Sequence, residues 1–372
     1  RNGKTITDKG YETFLLAAEA SRWIENRDTE KPFFLYMPFI APHTPLEAPE
    51  DLLIKYANLK DLRKPTRSAS TDRIRSLSMT PSARPIYAAV VDALDQAIGQ
   101  VLATLESEGI DEETIILFSS DNGGATYGGG GGDNYPLRGG KGETYEGGIK
   151  VIAALRWKGH IAPQTNFSSI MTMMDVFPTL AGATNIPMMN TKKIWGRDMW
   201  SAIHGSETIP LTKEVFFASE TPNYGQFHTT VFNEQWKLVQ VISSSLMEVN
   251  VNNQLFNIDD DPNEYNNLAA DYPKLVELMA GKIRKWRALH PISGIRAQLV
   301  PPPGWRAPKD WTSYTIPINE LQDDASLGFG AHAHQILDYL IKDHGRIIYD
   351  CKPTDWERGK CKAPEKPHKH QH

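Results

Sequence analysis

Two oxygen-bearing side chains follow an apolar run near the middle of the first half of the chain. Asp121 and Asn122 come directly after the run 114–119 and are followed by Gly123 and Gly124. A carboxylate and an amide oxygen suit Ca²⁺ or Mg²⁺ better than Zn²⁺. Adjacent residues on a strand point to opposite faces, so both reach one ion only where the glycines turn the chain. The same four residues are also a common turn sequence, and the pattern alone leaves both interpretations open.

A lone lysine lies in the glycine-rich segment that comes next. Lys141 stands between Gly140 and Gly142. In that setting a lysine can approach a bound anion closely, as a mobile point charge. The nearby glycine run 128–132 lacks the spacing and the strand–helix setting of a phosphate-binding P-loop. An ordinary loop lysine would have the same neighbours, so Lys141 is a candidate anion ligand.

A histidine between two prolines is the third candidate. His43 lies in the sequence Ala41-Pro42-His43-Thr44-Pro45, where the prolines restrict the backbone and hold the ring in place. A histidine beside a cation-bound anion can donate a proton to a leaving oxygen. A histidine that merely packs in a loop would satisfy the same pattern.

The composition is that of a globular protein. The net charge of -5 argues against a nucleic-acid-binding face. No window holds 18 uninterrupted apolar residues, which predicts no membrane span. Cys351 and Cys361 could form a short disulfide loop, remain two thiols or pair with another segment. The triplet Asn166-Phe167-Ser168 is a glycosylation sequon, which favours a secretory route, although such triplets also arise by chance.

Helical and strand-like segments alternate in the first half of the chain. Helical spacing of apolar residues predicts helices over 11–27 and 85–105. The apolar run 33–37 does not alternate, which predicts a strand buried on both faces of a parallel sheet. The run 114–119 predicts the next strand. We expect an α/β layered domain, with His43 and Asp121-Asn122 at the carboxyl ends of its strands.

The pattern changes after residue 210. Strand-like runs over 214–218, 229–232, 236–242 and 254–258, with a helix over 272–289, predict a small antiparallel sheet and a helix. We therefore expect a large α/β domain over 1–210, a smaller domain over 211–290 and an irregular proline-rich extension over 291–372. The basic, aperiodic stretch 61–84 is expected to be an exposed loop or insertion.

The ordered set of motifs resembles a known family. The matching segments, in chain order, are 32–36, 42–45, 87–95, 120–124, 136–141, 145–148 and 175–180, with 255–258 and 261–264 in the second domain. Together they resemble the formylglycine-dependent sulfatases of the alkaline phosphatase superfamily, in particular the animal arylsulfatase B-like group. The resemblance implies an alkaline phosphatase-like layered α/β domain, here incomplete, with a smaller C-terminal domain.

The resemblance implies roles only at the matched positions. Asp121 and Asn122 would be two ligands of one Ca²⁺ ion, and Asp121 would also help to activate the nucleophile, a hydrated aldehyde. Lys141 would contact the sulfate group and its bridging oxygen. His43 would bind sulfate and help to protonate the leaving alcohol. The substrate would be a sulfated glycan or an aryl sulfate, and the location secreted or lysosomal.

One departure from the family is large. The cysteine of Cys-x-Pro-Ser-Arg, which becomes the formylglycine nucleophile, is absent, and 80–84 is a poor match that lacks it. The early Asp-Asp pair of the calcium site and the Lys-x-His motif are absent as well. We expect the chain to be inactive alone and to need its N-terminal part, either as a separate chain or as a segment outside this sequence. The alternative is a non-catalytic relative that binds sulfated glycans or has a structural role.

Overall fold

The computed structural model describes residues 6–68, 83–126, 130–188, 194–205, 214–221, 226–244 and 249–289. The chain divides into two compact units. The first comprises 1–215, 232–236 and 257–266, and the second includes 216–231, 237–256 and the residues that follow 266. The first unit is therefore not continuous in sequence. The domain limits expected at 210 and 290 stay predictions. The expected extension 291–372, which includes both cysteines, lies outside the described residues.

The first unit contains most of the helices. Its elements are helices α1 (Glu12–Glu25), α2 (Glu50–Tyr56), α3 (Arg84–Ser107), α4 (Glu146–Ile149), α5 (Met173–Ala183) and α6 (Trp200–Gly205), and strands β1 (Ile116–Ser119) and β2 (Ala153–Arg156). The helices expected over 11–27 and 85–105 are confirmed as α1 and α3.

Helix α3 is the centre of the helical packing. Both α1 and α2 pack along it. Ala89 and Ala93 of α3 are fully buried against Leu52 of α2, and half-buried Tyr11 and Phe14 complete this cluster. Alanine side chains are small and let neighbouring helix axes approach closely. This explains why an alanine-rich helix lies at the centre of the helical packing.

Helix α3 is also apolar along much of its length. Among the described residues it is the one helix long and apolar enough to cross a membrane by length and composition. A core helix of a globular domain passes the same test. Helix α3 packs against α1 and α2, and 22% of its most apolar 18-residue window is buried.

The strand prediction for 33–37 is wrong. These residues form no strand, and exposure alternates along them, with Phe34 78% and Tyr36 74% exposed. A strand requires ladder hydrogen bonds to a neighbour, and no described strand pairs with this run. The run 114–119 does contain β1, but β1 pairs with β2 in antiparallel order, not parallel, from Ile116 opposite Arg156 to Ser119 opposite Ala153.

The described part of 61–84 is only partly exposed: Leu62, Lys64 and Pro65 are exposed, whereas other residues of 61–68 are buried. In the segment 61–68, the side chain of Arg63 is 6% exposed, and Thr66 and Ser68 are buried. The sequence analysis interpreted its charge and lack of periodicity as signs of exposure. These polar groups instead bond to main-chain carbonyls and a buried carboxylate of the glycine-rich loops. Residues 69–82 lie outside the described part of the chain.

The second unit contains most of a four-stranded sheet. Strands β3 (Val215–Thr221), β4 (Gln226–Asn233), β5 (Trp236–Ser244) and β6 (Val249–Asn257) are hydrogen-bonded in sequence order. The connections are too short for parallel crossovers, so the sheet is the expected antiparallel one. Helix α7 (Pro273–Arg287) follows, and Trp286 stacks on Phe216 of β3 with ring centroids 5.2 Å apart.

The N-terminus of α5 is held by one buried carboxylate. Asp175 accepts hydrogen bonds from the amides of Thr172 (2.8 Å) and Arg197 (2.6 Å), and pairs with the Arg197 guanidinium at 3.1 Å. Thr172 and Asp175 form a capping box. Burial alone would raise the pKa of the Asp175 carboxyl, but the Arg197 guanidinium and the two amides lower this pKa below its ordinary value of 3.8.

Replacing Asp175 should therefore give a pH-dependent loss of stability. Because the pKa of Asp175 is depressed in the folded protein, its contribution is present above pH 3.8 and is lost as pH falls through the folded pKa. We expect Asp175→Asn to lower the free energy of unfolding by about 3 kcal/mol at pH 7, since Arg197 loses its partner. Denaturant unfolding at several pH values measures this difference, which should shrink below pH 3.8. Exposed Asp95→Asn is the control, and a pH-independent loss would contradict the assignment.

Candidate active site

The β1–β2 ladder leads directly into the first candidate motif. Beyond the last paired residues, the Ser120 amide donates to the Ile152 carbonyl at 3.1 Å. The Gly123 amide then donates to the Gly148 carbonyl at 2.9 Å. Between these two bonds the chain bends, and Asp121 is exposed there while Asn122 is half-buried. The hydrogen bonds on both sides of Asp121 fix the backbone that carries it.

The bend at Asp121 depends on close contact between the backbone of Gly123 and the backbones of Gly147 and Gly148. A Cβ atom on Gly123 would lie 1.8 Å from the carbonyl oxygen of Gly147, far inside any allowed contact. The Gly147 amide in turn donates to the Arg138 carbonyl at 2.7 Å. Only glycine permits this approach, which brings the Asp121 motif against the segment that carries Lys141.

Asn134 joins the two motifs through its side chain. Its amide oxygen accepts from the Gly124 amide at 2.9 Å, and its amide nitrogen donates to the carbonyls of Gly124 (2.9 Å) and Gly139 (3.2 Å). The Lys141 amide also donates to the Gly124 carbonyl, at 3.2 Å. The sequence analysis missed Asn134, whose position after a glycine run gives no local signal of this pairing.

Lys141 occupies the second position of a tight turn. The Glu143 amide donates to the Gly140 carbonyl at 3.1 Å and closes the turn. Gly142, in the third position, has a φ of +91°, the left-handed conformation that a type II turn requires there. The side chain of Lys141 is half-buried. The turn therefore presents the lysine from a defined backbone position.

The 61–68 segment supports the loop that precedes this turn. The Thr66 carbonyl accepts from the Gly139 amide at 2.8 Å, and the Arg138 guanidinium donates to the Arg67 carbonyl at 3.1 Å. Arg67 donates to the carbonyls of Pro136 (2.8 Å) and Asn263 (2.5 Å). A second segment, 257–266, thus also reaches the loop.

His43 lies in an exposed turn rather than at a strand end. Its Nδ1 is 2.7 Å from the Thr44 carbonyl oxygen. A carbonyl can only accept, so Nδ1 carries the proton and Nε2 is left for another partner. Within the described residues no hydrogen bond connects His43 to the loops of Asp121 and Lys141. The structure therefore brings Asp121, Asn122 and Lys141 together but does not attach His43 to them.

The charged groups of this region are left available. In the described part of the chain, neither the Asp121 carboxylate nor the Lys141 ammonium forms an ion pair. The side-chain amide of Asn122 donates to the Gly123 carbonyl at 3.0 Å, so its side-chain oxygen is not used in this bond and could accept a ligand. Asp121 and Asn122 thus offer hard oxygen donors that fit Ca²⁺.

The described residues would supply only part of a metal site. No group of three or more His, Cys, Asp or Glu able to hold a metal occurs among the described residues. Since Ca²⁺ takes six to eight oxygen ligands, Asp121 and Asn122 fit part of a shell only. An anion beside such an ion would find the Lys141 ammonium on the adjoining loop. The arrangement can bind an anionic group by charge from two sides.

The family of the chain follows from comparison with known proteins. The family model described as Sulfatase matches residues 1–186, half of the chain. The chain belongs to the sulfatase family. A protein named sulfatase from Formosa agariphila is 29% identical over 289 residues, which cover 71% of this chain and 48% of that protein. The steryl-sulfatase of Rattus norvegicus is 32% identical over 206 residues, covering 54% of this chain and 31% of that protein.

Solved structures agree with the family and show the fold. The chain resembles Ps i-CgsB, solved in complex with k-i-k-neocarrahexaose, with a TM-score of 0.63 and 26% identity over 80% of this chain and 61% of that one. It also resembles the yidJ protein from Bacteroides fragilis, named a putative sulfatase, with a TM-score of 0.58 and 18% identity over 75% of this chain and 59% of that one. The fold is the alkaline phosphatase-like fold of sulfatases. The chain spans about half the length of two of the curated relatives that it matches, 48% of one and 52% of the other.

Inserting one methyl group at Gly123 should disrupt the site and the domain together. We expect Gly123→Ala to lower the free energy of unfolding by about 3 kcal/mol, because the new Cβ has no room beside Gly147. Gly99, inside α3, has open space around its Cβ position, so Gly99→Ala should stabilise by about 1 kcal/mol. Urea unfolding measures both. Equal stability of the Gly123→Ala variant and the parent would show that the glycine contact is not required.

Proposed function

We propose that the complete protein hydrolyses sulfate esters and that this chain supplies the part of its active site that binds the sulfate group. Family membership supports this proposal. The observation that carries it is the pairing of two loops by main-chain hydrogen bonds, one with the free Asp121 carboxylate and one with the free Lys141 ammonium. The two loops lie side by side, and neither charge forms an ion pair in the described part of the chain, which suits a ligand that binds between a cation and a lysine.

In this proposal each matched residue has a separate task. Lys141 contacts the sulfate group and stabilises charge on the bridging oxygen. His43 in its doubly protonated form donates the Nε2 proton to the leaving alcohol and keeps the Nδ1 proton on the Thr44 carbonyl. Asp121 and Asn122 hold Ca²⁺, which supplies positive charge to the sulfate oxygens when bound. Asp121 also assists the nucleophile.

The remaining parts of the proposed site are supplied by residues outside the described part of the chain. The nucleophile and the further calcium ligands are proposed to belong to an N-terminal part, present either in the same polypeptide or as a separate chain after processing. Intact-mass analysis of the native material would reveal such a partner. We propose a secreted or lysosomal location, for which Asn166 of the sequon, exposed on the surface, is the structural support.

We propose that the substrate is a sulfated glycan and that aryl sulfates can serve as test compounds. The support is the likeness to Ps i-CgsB, whose crystal structure contains an oligosaccharide, k-i-k-neocarrahexaose. Turnover of sulfated oligosaccharides and of an aryl sulfate by the complete protein, followed as free sulfate, tests this proposal. Binding of the oligosaccharides without any turnover would instead favour the non-catalytic alternative.

Removing the Lys141 ammonium should affect turnover far more than stability. In the complete protein we expect Lys141→Ala to lower kcat on an aryl sulfate by about 100-fold or more, because charge on the bridging oxygen loses its stabilising partner. Its thermal midpoint should change by less than about 2 °C, since the ammonium pairs with no described side chain. Lys150→Ala, at an exposed lysine of the same segment, is the matched control. Comparable losses in activity and stability would make Lys141 structural.

Removing the Asp121 carboxylate should abolish the calcium dependence of turnover. The parent is expected to lose activity on chelation and to regain it with added Ca²⁺. Asp121→Ala should be inactive with and without the ion, because a charged ligand of the cation is lost. Isothermal titration of Ca²⁺ gives the corresponding loss of affinity, and Asp95→Ala is the control. Calcium-dependent turnover in Asp121→Ala that equals the parent would remove the metal assignment.

A further inference from the structure

The turn that carries Lys141 is closed twice, once by the main chain and once by a side chain. Besides the bond from the Glu143 amide to the Gly140 carbonyl, the Gly140 amide donates to Glu143 Oε2 at 3.1 Å. The two bonds run in opposite directions across the same four residues. They leave Lys141 as the outermost side chain of the turn, between two residues without side chains.

The Glu143 carboxylate has a second partner on another segment. Its Oε1 accepts a hydrogen bond from the Ser68 hydroxyl. Glu143 is 2% exposed and Ser68 is 4% exposed, so this contact is buried. A buried carboxylate is costly unless it is hydrogen-bonded, and hydrogen bonds to a charged group are stronger than those between neutral groups. The contact therefore fixes the turn to the 61–68 segment.

We propose that Glu143 is a positioning residue that holds Lys141 at the sulfate, acting through the Gly140 amide and the Ser68 hydroxyl. This inference rests on the proposed function of Lys141. Because the residues on both sides of Lys141 are glycines, no side-chain packing of its neighbours restrains the turn. The Glu143 carboxylate supplies the missing restraint through two hydrogen bonds. The side chain of Lys141 therefore extends from a fixed backbone position.

A double-mutant cycle distinguishes positioning from general support of the fold. In the complete protein we expect Glu143→Ala to lower kcat on an aryl sulfate by about 10- to 100-fold, the scale of a roughly 1 Å misplacement. In a Lys141→Ala background the same substitution should change kcat by less than about 2-fold, because the residue it positions is gone. Equal effects in both backgrounds would overturn the proposal.

Conservative variants keep the test valid if Glu143→Ala folds poorly. Glu143→Gln can still accept from the Gly140 amide and donate to the Ser68 oxygen, so it should retain kcat within about 3-fold of the parent. Ser68→Ala removes the outer hydrogen bond and should give an intermediate loss of kcat with unchanged KM. A Glu143→Gln variant as impaired as a folded Glu143→Ala would contradict the proposed hydrogen bonds.

Hydrogen–deuterium exchange tests the restraint without using activity. We expect Glu143→Ala to increase exchange at the Gly140 amide by about 10-fold or more, since its acceptor is removed. Exposed Glu112→Ala is the control and should leave that amide unchanged. Unchanged exchange in Glu143→Ala overturns the positioning role whether or not the protein turns over sulfate esters. Faster exchange with no turnover in the parent would support the restraint and reject the proposed function instead.

Discussion

The contact between the backbones of Gly123 and Gly147 is the constraint on which the candidate site depends. No side chain fits between them, and the Gly123–Gly148 hydrogen bond at 2.9 Å continues the β1–β2 ladder past the end of both strands. The contact places a carboxylate loop and a lysine loop side by side. Two side chains of opposite charge that pair directly with each other are no longer available to a ligand. Here main-chain hydrogen bonds hold the two loops together, so both charged side chains remain available.

A layer of polar side-chain contacts surrounds this contact. Asn134 bonds both loops, while Arg67 and Ser68 approach from the 61–68 segment. Most of these bonds end on main-chain carbonyls or amides. Bonds of this kind fix the course of a loop without depending on neighbouring side chains, so glycine-rich segments can be ordered by them. The result is a rigid support beneath residues whose own side chains remain free to bind.

The sequence predicted those features that depend on local pattern. Apolar periodicity located α1 and α3, and the turn chemistry of Asp121 to Gly124 located one candidate loop. It failed for 33–37, because an apolar run becomes a strand only where a partner strand pairs with it. It also failed for 61–68, where Arg63 and Ser68 look like surface residues until their distant acceptors are known.

The bond from Arg67 to the Asn263 carbonyl spans 196 positions of the sequence. During synthesis the chain must therefore extend through the strands of the second unit before this bond can form. Contacts of such separation carry a high entropic cost and form late in folding. The cation–π stack of Arg67 on Tyr265, at 3.8 Å, belongs to the same late event. The full support of the lysine loop is therefore available only after residue 263 has been synthesised, which ties maturation of the site to completion of a distant segment.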